Sequence, residues 1–415
     1  MTDTLPDNYF TEVYGAVSDW FNDFDHANAA YNENAHALWD QMREQCPVAH
    51  TNRYGGVWLP VTHEMVSEIA YDTDHFTSRS VVVSRVKPHM VADIPPAPIG
   101  TAPPISSDPP FHHDARRVML PAFSPKKIAA WDGDVRALCN ELLDRVQGKD
   151  VVDAAVDYAQ HIPVNVIARM LGFPLEDSDL FRGFVHDILE GVDEPLQVRQ
   201  PKMERLSTYI AAQIEDHQNN PREDLTSFLL NATIYDQPLS MRHVAGSIIL
   251  LLLAGIDTTW SAIGSSIWHL ATNPQDRDRL VNEPELIPTA IEEFLRAYAP
   301  VTMARLVKED VDFHGCPMKV DDWVLLPFPA ANRDPLAFTD ADKVIIDREE
   351  NRHAAFGLGI HRCLGSNLAR LELTIAVEEF LKRYPKFELA NTAGVKWSVG
   401  QIRGPRELPV RISKN

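Results

Sequence analysis

Cys363 lies in the run Phe356-Gly357-Leu358-Gly359-Ile360-His361-Arg362-Cys363-Leu364-Gly365. Glycines at 357, 359 and 365 free the backbone to form a tight loop and to approach a flat ligand closely. Cys363 is expected to open a helix that carries Leu364, Leu368 and Leu371 on one face. A thiol at a helix start meets free amide N–H groups and the positive end of the dipole. Both favour the thiolate, the species that binds metal. The other cysteines, Cys46, Cys139 and Cys316, are widely spaced and form no C-x-x-C pair. That spacing argues against a zinc site and against a disulfide framework.

A lone thiolate with no second ligand nearby suits a metal already held by four other atoms. Haem iron is such a metal, and a thiolate ligand pushes electron density onto it in a way that favours O–O cleavage. A second chemical run is Ala254-Gly255-Ile256-Asp257-Thr258-Thr259. An acid followed by an alcohol inside an apolar helix is costly unless it serves a purpose. A threonine can bond back to a carbonyl one turn earlier and bend the helix, and Gly255 loosens it further. The expected result is a groove able to hold a small molecule.

Helical periodicity supplies the elements that position these runs. Apolar stripes cover Val135 to Val146, Ile162 to Leu171, Met203 to His217 and Ile287 to Tyr298. Another, Glu372 to Tyr384, continues a helix that starts near Leu364. Strand-like pieces are short: Gly56 to Val61, Asp310 to Phe313 with Pro317 to Val320, Trp323 to Leu326, and Leu408 to Ile412. Helices outnumber strands, which predicts a mainly α, α+β fold with small sheets to one side.

The chain has 415 residues, is 45% hydrophobic and 24% charged, and carries a formal charge of −20. No linker splits it, so one domain over 1–415 is expected, with Pro95 to Pro104 and Pro109-Pro110 as a loop within the fold. So acidic a chain is unsuited to nucleic acid. Val244 to Ile256 is apolar but ends at Asp257, too short to span a bilayer and so expected to be a buried core helix. Met1 to Phe10 is acidic without an apolar stretch, so no secretion signal is visible and a cytoplasmic location is expected.

The cysteine run resembles the haem-binding signature of the cytochrome P450 family, F-x-x-G-x-H/R-x-C-x-G, at every specified position. Glu293-Phe294-Leu295-Arg296, followed by Pro300, resembles the family's E-x-x-R pair, implying a structural tie to a segment around Asn332 to Asn351. Asp108 to Arg117 resembles the start of the helix that contacts a haem propionate. Phe111 and Asp114 depart from the family pattern there and are expected on the surface side. The resemblance implies haem b, with Cys363 as the iron ligand. It gives cofactor contacts at His112, Arg116, Ala254, Gly255, Arg305, Phe356, His361 and Gly365, with His112 preferred over His113. It also assigns Thr258 a hydrogen bond over the iron and Asp257 proton relay from solvent, leaving Thr259 structural.

The family likeness implies a monooxygenase fed with NAD(P)H electrons by a separate ferredoxin or flavodoxin system. The partner's docking face is expected around the cysteine loop, with Arg117, Lys126, Lys127, Arg362 and Arg370 as its basic residues. The pocket roof is expected from Arg79 to Asp108, where Val81, Val82 and Val83 precede Pro95-Pro96-Ala97-Pro98-Ile99. Leu250, Leu253, Ala254, Val301, Thr302, Met303 and Ile402 complete an apolar lining. That lining suits a small or medium apolar substrate such as a terpenoid or an aromatic. Arg85, Lys87 and His89 in the same loop offer a carboxylate-binding alternative. Two other readings are a haem-thiolate enzyme that uses peroxide or does not use dioxygen, and a non-catalytic haem carrier or sensor. The Asp257-Thr258 pair argues against both.

Overall fold

Met241–Thr272 forms one helix of 32 residues that the rest of the protein is built around. The side chain of Ser240 accepts a hydrogen bond from the amide of His243 and so caps its start. Asn273-Pro274 ends it, since proline cannot continue a helix. By length and composition the helix is apolar enough to cross a membrane, but most of its side chains are buried in the protein. Leu252, Ile256, Ile263 and Ile267 are at most 1% exposed, each worth roughly 1.5–3 kcal/mol of burial.

This computed structural model describes residues 14–90, 95, 97–190, 194 and 196–412. Residues 1–10, read above for a secretion signal, and Pro96 of the proposed roof lie outside them. Helices His161–Leu171, Ser178–Val185, Leu196–Asn219, Ile287–Ala297 and Ser366–Arg383 pack on or near the central helix. Asp132–Arg145 packs in turn against the last of these. Together they enclose the main apolar core. A second core lies between the helix Ala29–Gln45 and a five-stranded sheet, where Phe24, Trp39, Leu59 and Trp323 meet.

That sheet runs in the order Val48–Thr51, Val57–Pro60, Trp323–Pro327, Thr302–Val307, Phe76–Thr77. Its pairs are antiparallel except Trp323–Pro327 with Val57–Pro60. Val324 lies opposite Arg305, which fixes the register of the strand carrying that arginine. A three-stranded sheet joins Phe387–Leu389, Pro409–Ile412 and Val151–Asp153. The architecture is the expected helix-rich layout with small, separate sheets.

The expected helices are present, with shifted ends. The stripe at Met203 to His217 belongs to Leu196–Asn219, whose first two turns are too polar to read as amphipathic. The helix expected to open at Cys363 starts at Ser366 instead, because Gly359–His361 forms a 3-10 turn and residues 362–365 stay irregular. The central strand Thr302–Val307 lies outside the expected strands: its last four residues are all buried, so it shows no alternation.

Candidate active site

The backbone of the cysteine loop is held in place from within. The amide of Cys363 donates to the carbonyl of Phe356 at 2.7 Å. Gly357 and Gly359 adopt φ of +72° and +65°, a region that favours glycine. At Gly359 a Cβ would stand 2.4 Å from the carbonyl oxygen of Ala70, so no larger residue fits without a shift. Arg116 Nη2 donates to the carbonyl of Arg362 at 2.7 Å and ties the Phe111–Met119 helix to the loop.

Cys363 is exposed although protein surrounds it, a combination that a deep cleft produces. Burial among protein atoms raises the pKa of its thiol. The Gly365 amide, which donates to the sulfur, and the charges of Arg116, Arg370 and Arg362 pull the other way. The net direction is upward, so the helix-start argument for a lowered pKa does not hold here: the helix begins three residues later. At Gly365 a Cβ would make only ordinary contacts with Cys363 Sγ and Phe123, at 4.0 Å. What Gly365 contributes within the protein is therefore its amide.

Four basic side chains converge beside the loop. His112 and His361 meet ring to ring. Both ring nitrogens of His112 and the Nε2 of His361 are buried without a hydrogen-bond partner among the described residues. Arg305 is 5% exposed, and its Nη1 donates to the neighbouring carbonyl of Ala304 at 2.8 Å. Burial pulls its pKa down to about 10, despite the charge of Asp108. Asp108 itself binds the Thr77 hydroxyl and the Ser78 amide. Burial, then the charges of Arg116, His113 and Arg305, lower His112 to about 4. A cluster of buried donors without a matching acid is costly unless an anion joins it. A dianionic group such as the propionates of haem fits these residues.

Across the cleft the central helix presents Leu250, Ala254 and Thr258, spaced four apart on one face. Ala254 is exposed although Leu251, Leu252, Leu253, Ile256 and Asp257 around it on the helix are buried. Thr258 Oγ1 donates to the carbonyl of Ala254 at 2.9 Å, which leaves the hydroxyl oxygen able to accept. Asp257 is fully buried. Its Oδ1 pairs with Arg406 Nη2 at 2.7 Å, and its Oδ2 has no hydrogen-bond partner among the described residues.

Several expected site residues do other work. At Gly255 a Cβ would stand 2.5 Å from Ile167 Cδ1, so this glycine admits the close approach of His161–Leu171. Val83 is fully buried in the second core, and Leu253 belongs to the main core. Phe111 turns inward, its ring 5.6 Å from that of His243, while Asp114 binds Tyr235 and Arg117. Val82, Val301, Thr302 and Met303 are partly exposed, and Ile402, 7% exposed, bridges to Val301.

The carboxylate-binding alternative loses its residues. Lys87 Nζ donates to the carbonyls of Gly55 and Asp321 at 2.9 and 2.6 Å. His89 pairs with Asp321, and Arg85 stacks over Tyr14 at 4.3 Å. On the outer side of the loop Arg117, Lys126, Lys127 and Arg362 are exposed. Arg370 is not available there: it binds Glu292 at 2.6 and 2.8 Å and covers Phe356.

Glu293 and Arg296 are both fully buried and doubly bonded at 2.8 and 2.9 Å. Arg296 also donates to the carbonyls of Asn332, Ala341 and Lys343. Glu293 accepts from Arg348, Asn351 and the amide of Ile345. The pair thus pins the segment 332–351 that leads into the cysteine loop. Sequence reading missed Glu190 and Arg406, which lie in no motif and reach Asp257 only through the fold.

A family model described as cytochrome P450 matches residues 60–396. A mycinamicin IV hydroxylase/epoxidase from Micromonospora griseorubida is 32% identical over 383 residues, covering 90% of this chain and 94% of the relative. The structure of CYP109E1 from Bacillus megaterium in complex with testosterone superposes with a TM-score of 0.84 at 31% identity. It covers 93% of this chain and 100% of that one. P450BioI, solved in complex with a hexadec-9Z-enoic acid-ligated acyl carrier protein, gives a TM-score of 0.82 at 28% identity, covering 93% and 100%.

Proposed function

The chain belongs to the cytochrome P450 family, and we propose from that premise that its 415 residues form a single haem domain that hydroxylates a small or medium apolar substrate. The observation that carries this reading is the grouping of the cysteine loop with four basic side chains that make no ion pair with a carboxylate among the described residues. Cys363 would hold the iron. His112, Arg116, Arg305 and His361 would hold the propionates by charge-assisted bonds. When bound, haem supplies the redox chemistry that activates dioxygen.

The protein's own part is to position, to exclude water and to move protons. Thr258, its proton committed to the Ala254 carbonyl, offers its oxygen to the cleft as an acceptor. Asp257, one residue earlier, keeps Oδ2 without a hydrogen-bond partner among the described residues and would pass protons inward from the Arg406 side. The loop after Arg79 closes over the central helix. At Gly246 a Cβ would meet the Thr101 carbonyl oxygen at 2.1 Å, and Ser247 donates to the carbonyl of Pro103.

Val82, Leu250, Ala254, Val301 and Met303 offer an apolar lining, and the three basic residues of the loop are tied up elsewhere. A terpenoid or aromatic substrate is favoured over a carboxylate. The testosterone complex of CYP109E1 supports an apolar guest of comparable size. Electrons would come from NAD(P)H through a ferredoxin or flavodoxin docking on Arg117, Lys126, Lys127 and Arg362, a basic face that would steer an acidic partner in spite of the −20 charge.

Spectral titration of the ferric protein against terpenes, aromatics and carboxylic acids tests the substrate class. A low-to-high-spin shift with an apolar class, matched by substrate-dependent NADH consumption with surrogate ferredoxin and reductase, is expected. A shift with carboxylic acids alone would overturn the apolar reading.

A further inference from the structure

Asp257 is joined to two residues that no motif contains. Arg406, on the strand Pro405–Glu407, pairs with Asp257 Oδ1 at 2.7 Å and with Glu190 Oε1 at 2.5 Å. Its Nη1 donates to Ser261 Oγ at 3.0 Å, and its guanidinium covers the Trp260 ring at 4.4 Å. Ser261 stands 3.5 Å from the same Asp257 oxygen. The whole group is enclosed: side-chain exposure is 0% at Asp257, 14% at Arg406 and 18% at Glu190.

The reach of Arg406 depends on a seam of small residues. A Cβ at Gly404 would lie 2.3 Å from Ser261 Cβ, and one at Gly264 would lie 2.9 Å from Pro405 Cγ. The strand therefore lies against the central helix at a distance only glycine permits, and the next residue delivers its guanidinium to Asp257. Glu190 comes from elsewhere, the π-helical turn His186–Glu190 that follows Ser178–Val185. One cation is thus shared by two carboxylates carried on different elements.

We infer that Arg406 is a positioning residue for Asp257, and that Glu190 competes for it, so that the placement of the 186–190 turn sets how tightly Asp257 holds its proton. The inference rests on the relay role given to Asp257 above. Arg406 and Ser261 occupy one carboxylate oxygen and leave Oδ2 as the atom available for transfer. Burial favours the protonated form of Asp257, Arg406 opposes it, and the charge of Glu190 reinforces it. Movement of Glu190 away from Arg406 would remove a repelling charge and free the guanidinium, and both changes favour the carboxylate. Among the described residues, the titratable and charged groups facing Asp257 are Arg406 and Glu190. His186, on the same turn, lies 4.0 Å from Glu190.

The test is the protonation of Asp257 in the haem-loaded protein, read from its carboxyl C=O stretch in infrared difference spectra against Asp257→Asn. Arg406→Gln is expected to move the midpoint up by at least one pH unit, a tenfold gain in proton affinity. Glu190→Gln is expected to move it down. Arg406→Lys should stay near wild type, and it carries the test with Glu190→Gln if Arg406→Gln does not fold. Shifts in the same direction, or none, would overturn the inference, because a merely structural pair has no reason to give opposite signs. Product per NADH in Asp257→Asn is the separate check on the relay. An unchanged value would remove that role while leaving the carboxyl linkage standing.

Discussion

The rings of His112 and His361 meet edge to face with centroids 4.3 Å apart, one from the Phe111–Met119 helix and the other from the cysteine loop. Burial, followed by the charges of Arg305, His112, Arg116 and His113, holds His361 down at about 2. Two imidazoles and two guanidiniums would not be gathered there for packing alone. The two guanidiniums repel each other, and an anion among the four side chains is attracted to both and gives the imidazole N–H groups an acceptor.

Haem retention is the direct consequence. Arg305→Met keeps the length of the side chain but removes its charge, and His112→Leu removes an imidazole N–H donor. Each is expected to speed haem transfer to a scavenging globin by about tenfold to a hundredfold, the kinetic equivalent of roughly 1.5–3 kcal/mol of charge-assisted bonding. The two effects should not add, because the groups act on one anion. Transfer at the wild-type rate in both variants would place the propionates elsewhere.

Thr258 is expected to matter for coupling and not for binding. Thr258→Ala should keep the thiolate carbonyl spectrum and the substrate-induced spin shift while diverting electrons to peroxide or water. Product per NADH would fall by about tenfold, in line with loss of one positioned group in a proton-transfer step. Unchanged coupling would show that the hydroxyl merely bonds back to Ala254. Cys363→Ala is the companion control, and a surviving thiolate spectrum would displace Cys363 as the iron ligand.

How far the sequence could be read follows from how local each feature is. The cysteine loop, the Asp257-Thr258 pair and Glu293 with Arg296 lie within a few residues of one another, so their spacing was visible. The segment 332–351 tied by Glu293 was expected from the family likeness. Arg406 and Glu190 are 149 and 67 positions from Asp257, and only the packing of Gly404 on Ser261 brings them there. Side-chain direction was lost for the same reason. Val82 and Val83 are neighbours, yet Val82 is partly exposed and Val83 is packed into the second core.

That difference between neighbours can be measured. Val83→Ala is expected to destabilise the protein by about 2 kcal/mol through lost burial and the cavity left behind, with ligand-induced spectra unchanged. Val82→Phe should leave stability nearly alone and weaken the binding of bulky ligands severalfold. Denaturant melts and spectral titrations on both variants decide the matter. The reverse pattern would mean that Val83 lines the pocket after all.

Glu293→Gln is expected to be far more damaging than its size suggests. The carboxylate accepts from Arg296, Arg348, Asn351 and the Ile345 amide in a fully buried setting. Neutralising it leaves two buried guanidiniums uncompensated, at about 3–5 kcal/mol. The loss should appear as a lower denaturant midpoint and poor haem incorporation, since the pinned segment leads into the cysteine loop. A variant with wild-type stability would show that the backbone carbonyls around Arg296 suffice.

Glu292 gives the acid limit of this region a specific origin. Burial alone would raise its pKa, but hydrogen bonds from Arg370 and His353 outweigh that and hold the carboxyl down at about 2, against an ordinary 4.5. The folded-state value lies below the unfolded one. The stabilisation is therefore complete above about pH 4.5 and is lost as pH falls towards 2. The gap corresponds to roughly 3 kcal/mol as an upper figure, from 1.36 kcal/mol per unit. Glu292→Gln should lower stability at neutral pH and flatten the stability profile between pH 4.5 and 2, because the ionised acceptor is gone. Arg370 also covers Phe356, whose carbonyl holds the Cys363 amide, so the same variant should loosen the cysteine loop and broaden the thiolate spectrum at neutral pH. A profile as steep as wild type would assign the acid sensitivity to other carboxylates.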